Sequence, residues 1–293
     1  MDDDRQAGLD SDPVPLAAPL DSVATLPRSA RLSFNRCNLP AWILGSLAYQ
    51  RHPVPLTLDG VHDFHADLCR RLDPIADHTT RAQCFVDYMT VRFCLEDLEE
   101  AGLTPGRRKK SRANANYLRQ VRGWSFDSDG REGAVLKYWV ETRFGLLTRH
   151  HRQPLHGRGS DAYAGFQAEA IRGIYATNAL ESQLDLLYTY GQYELAHQLR
   201  GQTHLTLHRG INSIGDHEVM GREPDGSSLI LLNNLNSFTS DRERADEFGD
   251  YLLTVQVPLP KVFFFNRLLP GMLKGEDEYV VIGGVYGVQI ATL

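Results

Sequence analysis

The chain has 293 residues, of which 42% are hydrophobic, and it carries a formal net charge of −6. General nucleic-acid-binding proteins are usually basic, so this acidic composition argues against that class. The sequence also contains no apolar run long enough to cross a membrane. We therefore expect no nucleic-acid partner and no membrane span.

The N-terminal segment is polar and unlike a targeting signal. Residues 1–28 are rich in Asp, Pro and Ala and are predicted to form a flexible tail. The run Met1–Asp4 is acidic where a signal or transit peptide would be basic. Neither CxxC spacing nor the density of a disulfide scaffold is found in the four cysteines, Cys37, Cys69, Cys84 and Cys94. We expect a cytoplasmic protein with reduced thiols.

Residues 29–200 are predicted to form a mainly helical region. Apolar residues recur there at helical spacing. The predicted helices cover roughly 61–72, 80–101, 132–150, 161–175 and 178–201. Ser160 is a predicted N-cap, and Asn178 with Glu181 matches a capping box.

After Gly201 the hydrophobic period changes from helical to alternating. The predicted strands cover 203–209, 229–232, 235–239, 251–257, 261–265 and 278–291. Helices followed by strands indicate an α+β fold without a parallel β-α-β sheet. Residues 201–293 are expected to form a β-rich core that packs with the helices as one compact unit. The glycines at 283–287 lie inside strand sequence and open no helix, so they are not a dinucleotide fingerprint.

The first candidate functional residue is Arg209, at the end of the predicted strand over 203–209. Strand alternation puts it on the same face as Leu205 and Leu207. A guanidinium on a face that should be packed is unusual without an anionic partner. Gly210 follows, and a glycine there would let a ligand approach the main chain closely.

The second candidate segment is a strand followed by a short helix. The strand places the hydroxyl groups of Ser237 and Thr239 on one face. Ser240 and Glu243 then match an S-x-x-E capping box for a helix that runs through Phe248.

The third candidate is the acidic triplet Glu276-Asp277-Glu278. Residues from Glu278 onward have strand composition, so alternation would make Glu276 and Glu278 neighbours with Asp277 facing away. Adjacent carboxylates repel unless solvent, a proton or a cation relieves them, and a cationic substrate group would serve. An isolated E-x-E is more often an acidic turn before an edge strand.

Taken in order, these three segments resemble the R-S-E signature of the arginine-modifying mono-ADP-ribosyltransferases. That resemblance implies a split β-sandwich with NAD in its cleft, preceded by helices. The family usually shows S-T-S at the second motif, whereas this strand reads S-F-T over 237–239. A register that begins at Ser240 instead of Ser237 remains an alternative.

The resemblance also implies roles in binding NAD. Arg209 would grip the NAD phosphates, and the Gly210 backbone would hold the nicotinamide carboxamide. Phe248 would stack on the nicotinamide ring. Ser237 would brace the catalytic glutamate and the nicotinamide ribose, and Thr239 would join the NAD-binding set. No metal is required.

Two carboxylates would carry the chemistry that the resemblance implies. Cleavage of the nicotinamide–ribose bond develops positive charge on the sugar, which glycosidases meet with carboxylates. Glu278 would be the catalytic acid that stabilises this charge. Glu276 would select arginine as the acceptor and help remove its proton as the new bond forms.

Nearly everything after residue 30 resembles the dinitrogenase reductase ADP-ribosyltransferases of nitrogen-fixing bacteria. The segments that carry this resemblance are 34–40, 133–141, 207–210, 237–249 and 276–279. It implies ADP-ribosylation of one surface arginine of dinitrogenase reductase, which inactivates nitrogen fixation until a separate glycohydrolase reverses it. It also implies regulation by a PII signalling protein through the helical half. The segment 265–272 would lie where related transferases present a turn to the target protein.

Two other functions stay open on the sequence alone. An NAD glycohydrolase would use the same cleft with water as the acceptor, and the presence of Glu276 argues against it. A non-catalytic regulatory binding protein could keep the same fold, but intact Arg209, Ser237 and Glu278 argue against that reading. The basic run at 107–112 is most often a solvated loop, or else a docking patch for an acidic partner.

Overall fold

The computed structural model describes residues 25–95, 115–174, 178–272 and 277–292. Most of the predicted tail over residues 1–28, the basic run at 107–112 and Glu276 lie outside these described residues. In the described part, helices come first and a mainly antiparallel sheet follows. The predicted α+β fold class is therefore confirmed.

The described residues contain ten α-helices, which we number in chain order. They are α1 (Ala41–Leu44), α2 (Leu47–Arg51), α3 (Val61–Phe64), α4 (Ala66–Leu72), α5 (His78–Phe93), α6 (Tyr117–Phe126), α7 (Arg131–Phe144), α8 (Asp161–Ile174), α9 (Asn178–Gln198) and α10 (Arg242–Asp246).

Several helix boundaries differ from the predicted ones. The segment expected to form one helix over 61–72 forms α3 and α4, because His65 leaves helical geometry with φ −122°. The helix expected to reach residue 150 ends at Phe144. Gly145 is left-handed there, with φ 70°, and its N–H donates to the Glu141 carbonyl oxygen at 2.9 Å. Helix α6 was not predicted.

The eight described strands are β1 (His150–His151), β2 (Gln153–Pro154), β3 (His204–Ile211), β4 (Glu218–Arg222), β5 (Ser228–Thr239), β6 (Tyr251–Pro258), β7 (Val262–Phe265) and β8 (Glu278–Thr292). Strands β3 to β8 form one sheet in the order β4-β5-β3-β6-β8-β7, and β5 also pairs with β8. In this sheet β3 meets β5 only at His208 and Thr239. The strand ends that carry Arg209 and Ser237 therefore come together at one point.

Strand β5 replaces the two strands predicted at 229–232 and 235–239. Its pairing register with β8 shifts by one residue between Leu232 and Leu235, where Asn233 and Asn234 lie opposite the single residue Gly283. The amide of Asn234 donates to the Lys137 carbonyl oxygen at 2.8 Å, which ties this bulge to α7. Across the pair, a Cβ at Gly283 would overlap the Asn233 carbonyl oxygen, so only glycine fits there.

The helices and the sheet share one hydrophobic core. Trp139 of α7 packs on Phe263 of β7 with ring centroids 4.6 Å apart, and it also approaches Tyr188 of α9 at 6.2 Å. Burial of such large aromatic side chains is a dominant favourable contribution to folding. The helical region thus supports the sheet that carries the candidate site.

Lys261, between β6 and β7, is an unusual member of the interior. It is 1% exposed, its Nζ donates to the Gly283 carbonyl oxygen, and it lies 4.8 Å from the centre of the Tyr286 ring. No carboxylate in the described part of the chain pairs with it. Burial lowers the pKa of Lys261 from 10.5 to about 7, because the charged form is poorly solvated.

Lys261 should make stability rise with pH. Between the lowered folded-state pKa of about 7 and the unfolded-state pKa of about 10.5, the unfolded chain binds a proton that the folded chain does not. Raising the pH through this window therefore favours folding, by up to about 1.4 kcal/mol per pH unit. We expect the unfolding free energy of the parent to rise relative to that of Lys261→Met between about pH 7.5 and about pH 9 in urea titrations. A constant difference between the two proteins would contradict this assignment.

Candidate active site

Arg209 of β3 points one edge of its guanidinium at β5. Its Nη1 donates to the Ser237 carbonyl oxygen at 2.8 Å. The residue as a whole is partly exposed, but its Nε is enclosed and has no hydrogen-bond partner among the described residues. Burial lowers the pKa of Arg209, and the nearby Glu278 carboxylate partly offsets that effect. The guanidinium therefore keeps unused capacity for an anionic ligand.

Ser237 and Glu278 meet across the β5–β8 pair. The Ser237 hydroxyl donates to Glu278 Oε1 at 2.6 Å. Arg209, Ser237 and Glu278, which are far apart in sequence, are thus linked by direct contacts. The convergence that the three motifs require is present in the fold.

Helix α6 adds two side chains to this group. Trp124 donates its indole Nε1–H to Ser237 Oγ at 3.0 Å, and Ser125 Oγ donates to Glu278 Oε2 at 2.7 Å. The Glu278 carboxylate therefore has a hydroxyl partner on each oxygen. One partner comes from the sheet and the other from the helical region.

Sequence reasoning missed Trp124 and Ser125 because it missed α6. A usable signal was present, since Asn116 precedes the buried residues Tyr117, Val121 and Trp124 at helical spacing. The Asn116 side chain caps the helix by accepting from the Leu118 N–H at 2.8 Å. The pattern indicates the helix, but it does not reveal which strand the helix contacts.

Asp277 has a structural role that the sequence did not predict. It is left-handed, with φ 56°, a conformation that Asp adopts more readily than most residues. Its carboxylate accepts from the Ser240 N–H at 3.1 Å and from the Ser240 hydroxyl, and it lies 3.6 Å from the Arg267 guanidinium. Strand β8 begins at Glu278, as predicted, and Asp277 itself is not extended. The expectation that Glu276 neighbours Glu278 concerns a residue outside the described part of the chain.

The predicted cap of α10 is also wrong. Asp241, and not Ser240, is the N-cap, and its Oδ1 accepts from the Glu243 N–H at 3.0 Å. Ser240 was available as a cap but is bonded to Asp277 instead. Thr239 Oγ1 accepts from the Asp241 N–H at 3.1 Å, so this hydroxyl also shapes the turn. Of the two possible registers, the one beginning at Ser237 brings a hydroxyl to Glu278.

The remaining candidate residues lie where β3 meets α10. A Cβ at Gly210 would overlap the Ala245 carbonyl oxygen and touch Phe248, so close packing of this segment explains the glycine. The side of Gly210 on which a side chain would lie is therefore filled by the protein itself. Phe248 lies beside it with 62% of its surface exposed, which leaves an aromatic face open to solvent.

The requirements for a metal site and for a membrane-spanning helix can also be compared with the described residues. Among the described residues, no group of three or more His, Cys, Asp or Glu side chains is placed to hold a metal ion. Likewise, none of the described helices is long and apolar enough to span a membrane.

Comparison with known proteins shows a close family relationship. Residues 34–290 match the family model described as dinitrogenase reductase ADP-ribosyltransferase. The chain is 38% identical over 264 residues to the NAD(+)–dinitrogen-reductase ADP-D-ribosyltransferase of Rhodospirillum rubrum. The aligned region covers 89% of this chain and 95% of the relative. No solved structure matches the chain.

The incomplete pairing of Arg209 leads to a stability prediction. Arg209→Leu should leave the free energy of unfolding within about 1 kcal/mol of the parent or raise it, because it removes a desolvated charge with few partners. The matched control is Arg143→Leu in α7. Arg143 donates to both Asp185 carboxylate oxygens, at 2.7 and 2.9 Å, and its loss should cost about 3–5 kcal/mol. Equal losses in urea titrations of the two variants would contradict the prediction.

Proposed function

This chain belongs to the dinitrogenase reductase ADP-ribosyltransferase family, and from that premise we propose that it transfers ADP-ribose from NAD to a surface arginine of dinitrogenase reductase. The observation that carries the proposal is the contact chain from Arg209 through Ser237 to Glu278. It brings a guanidinium and a carboxylate from distant parts of the sequence together on either side of one serine. A bulky anionic adduct on dinitrogenase reductase would block its docking to dinitrogenase.

The residues present fit NAD as a substrate. Arg209 is partly exposed, and the protein uses only part of the hydrogen-bonding capacity of its guanidinium, which suits the NAD phosphates. The exposed ring of Phe248 suits stacking on nicotinamide. We assign the nicotinamide carboxamide to the Gly210 backbone, which follows Arg209 in β3 and packs against Phe248.

Glu278 is the residue we assign to the bond-breaking step. Loss of nicotinamide leaves positive charge on the ribose, and a carboxylate stabilises that charge. Ser237 and Ser125 hold the two carboxylate oxygens at 2.6 and 2.7 Å. Because the group is fixed before the reaction, little reorganisation is needed when the charge develops.

Glu276 is the residue we assign to the acceptor. An arginine side chain is fully protonated in water and needs a base to remove a proton as its nitrogen attacks. Glu276 lies outside the described residues, between Met272 and Asp277. Arg122 of α6 donates to the Met272 carbonyl oxygen at 2.9 and 3.0 Å, so both sides of this segment are tied to the site.

We further propose a PII signalling protein as the regulator and the cytoplasm as the location. The family resemblance supports the first, and the helical region over 29–200 is the surface we assign to it. Helix α6 gives such a contact a direct connection to Glu278. The free thiols of the described cysteines support the second.

A labelling experiment tests the proposed reaction. Purified protein, NAD labelled in its ADP-ribose portion and an extract of nitrogen-fixing cells should give one labelled polypeptide, dinitrogenase reductase. Glu278→Gln should lower the rate at least about a hundredfold, because the amide cannot stabilise the positive charge. Circular dichroism should show an unchanged fold. Label on a different polypeptide would refute the target, and equal transfer by Glu278→Gln would refute the assigned acid.

Glu276→Gln separates transfer from hydrolysis. The amide cannot remove the acceptor proton, so labelling of dinitrogenase reductase should be lost while slow nicotinamide release continues with water as the acceptor. Asp63→Asn, the same chemical change at an exposed position of α3, should keep full labelling. Unchanged protein labelling by Glu276→Gln would show that another group serves the acceptor.

A further inference from the structure

We propose that Ser125 and Trp124, adjacent residues of α6, are positioning residues that fix the orientation of the Glu278 carboxylate. The inference rests on the proposed function, in which Glu278 acts on the ribose. It extends the site beyond the three motifs on β3, β5 and β8. The helical region then supplies part of the catalytic geometry.

The direction of each hydrogen bond follows from the chemistry of the donors. An indole N–H can only donate, so Ser237 Oγ accepts from Trp124 at 3.0 Å. The single proton of Ser237 is then directed to Glu278 Oε1, 2.6 Å away. Trp124 therefore sets the polarity of the serine that contacts the acid.

Ser125 controls the second oxygen of the same carboxylate. Its hydroxyl has two acceptors in reach, Glu278 Oε2 at 2.7 Å and the Val121 carbonyl oxygen at 3.4 Å. The shorter bond to a carboxylate is the stronger of the two. The Ser125 proton is therefore assigned to Glu278.

Two donors, one on each oxygen, fix the orientation of the Glu278 carboxylate better than a single donor would. The terminal torsion of a glutamate side chain has a broad energy profile, so a single hydrogen bond to Oε1 leaves the carboxylate free to turn. A second donor on Oε2, from a different element, fixes the carboxylate plane. Each oxygen has a further lone pair, so the fixed group can still accept the ribose hydroxyl.

The position of α6 is held by several other contacts. Arg122 donates Nε and Nη2 to the Met272 carbonyl oxygen, and Trp124 is buried with 3% exposure. On its other side, a Cβ at Gly123 would overlap the Glu132 side chain of α7, so the two helices are in close contact. Helix α6, which carries the exposed Ser125 at its C-terminal end, is therefore held in place by packed contacts on its other sides.

Kinetics of Ser125→Ala test the proposal. Labelled NAD and purified dinitrogenase reductase give kcat and the KM for NAD. We expect kcat to fall about ten- to a hundredfold, the effect of losing a hydrogen bond to a charged group. The KM for NAD should stay within about twofold, because misorientation of Glu278 affects mainly the transition state. Ser125→Thr, which restores the hydroxyl, should recover most of kcat.

A matched control separates positioning from folding. Ser125 and Ser33 are both exposed, so Ser33→Ala removes a surface hydroxyl away from Glu278 and should keep the parental kcat. The thermal unfolding midpoints of all three variants should match the parent. A lowered midpoint for Ser125→Ala together with no rescue by Ser125→Thr would assign the residue a structural role and overturn the proposal.

The remaining outcomes are also decisive. An active parent with an unchanged or increased kcat in Ser125→Ala would overturn the positioning role alone, and an increase would mean that the contact restrains Glu278. A parent that neither labels protein nor releases nicotinamide would overturn the proposed function and this inference with it.

Discussion

The hydrogen bond from Ser237 to Glu278 exists because β5 and β8 pair in one register, with Ser237 opposite Val280 and Thr239 opposite Glu278. Strand side chains alternate, so a slip of one residue would turn Ser237 to the other face. The same slip would bring the buried side chain of Phe238 to the face of the sheet that carries Glu278. Burial of Phe238 therefore protects the position of the Ser237 hydroxyl. The contacts of Arg209 and Trp124, which both bind Ser237, depend on this register in turn.

The register at Ser237 holds although β5 carries one extra residue along its pairing with β8. The bulge at Asn233 and Asn234 accommodates this residue, and the Asn234 amide donates to the carbonyl oxygens of Lys137 in α7 and of Leu146 just after it. Gly283 provides the space for the bulged backbone. The helical region is thus needed for the geometry of the sheet. It also contacts the candidate site directly, through Trp124 and Ser125 of α6.

The sequence was sufficient to predict the features that depend on the pattern of neighbouring residues. Alternation located most strands, and the placement of Arg209 on the face of Leu207 singled out a guanidinium whose Nε has no partner among the described residues. The cap of α10 and the partner of Ser125 depend instead on contacts between segments that are distant in sequence. Ser240 and Asp241 can both cap a helix, and only the bond from Ser240 to Asp277 selects Asp241. Likewise, nothing local to Ser125 indicates a partner 153 positions away.

Regulation through the helical region then needs no long path across the molecule. A hydrogen bond loses most of its strength once the donor and acceptor separate beyond about 3.5 Å. The bond from Ser125 to Glu278 is 2.7 Å long, so a shift of α6 by about 1 Å is enough to release one carboxylate oxygen. The same shift would strain the bonds from Arg122 to Met272, at one end of the segment that carries Glu276. A partner that binds the helical surface and displaces α6 would therefore act on Glu278 and on one end of the segment that carries Glu276 together.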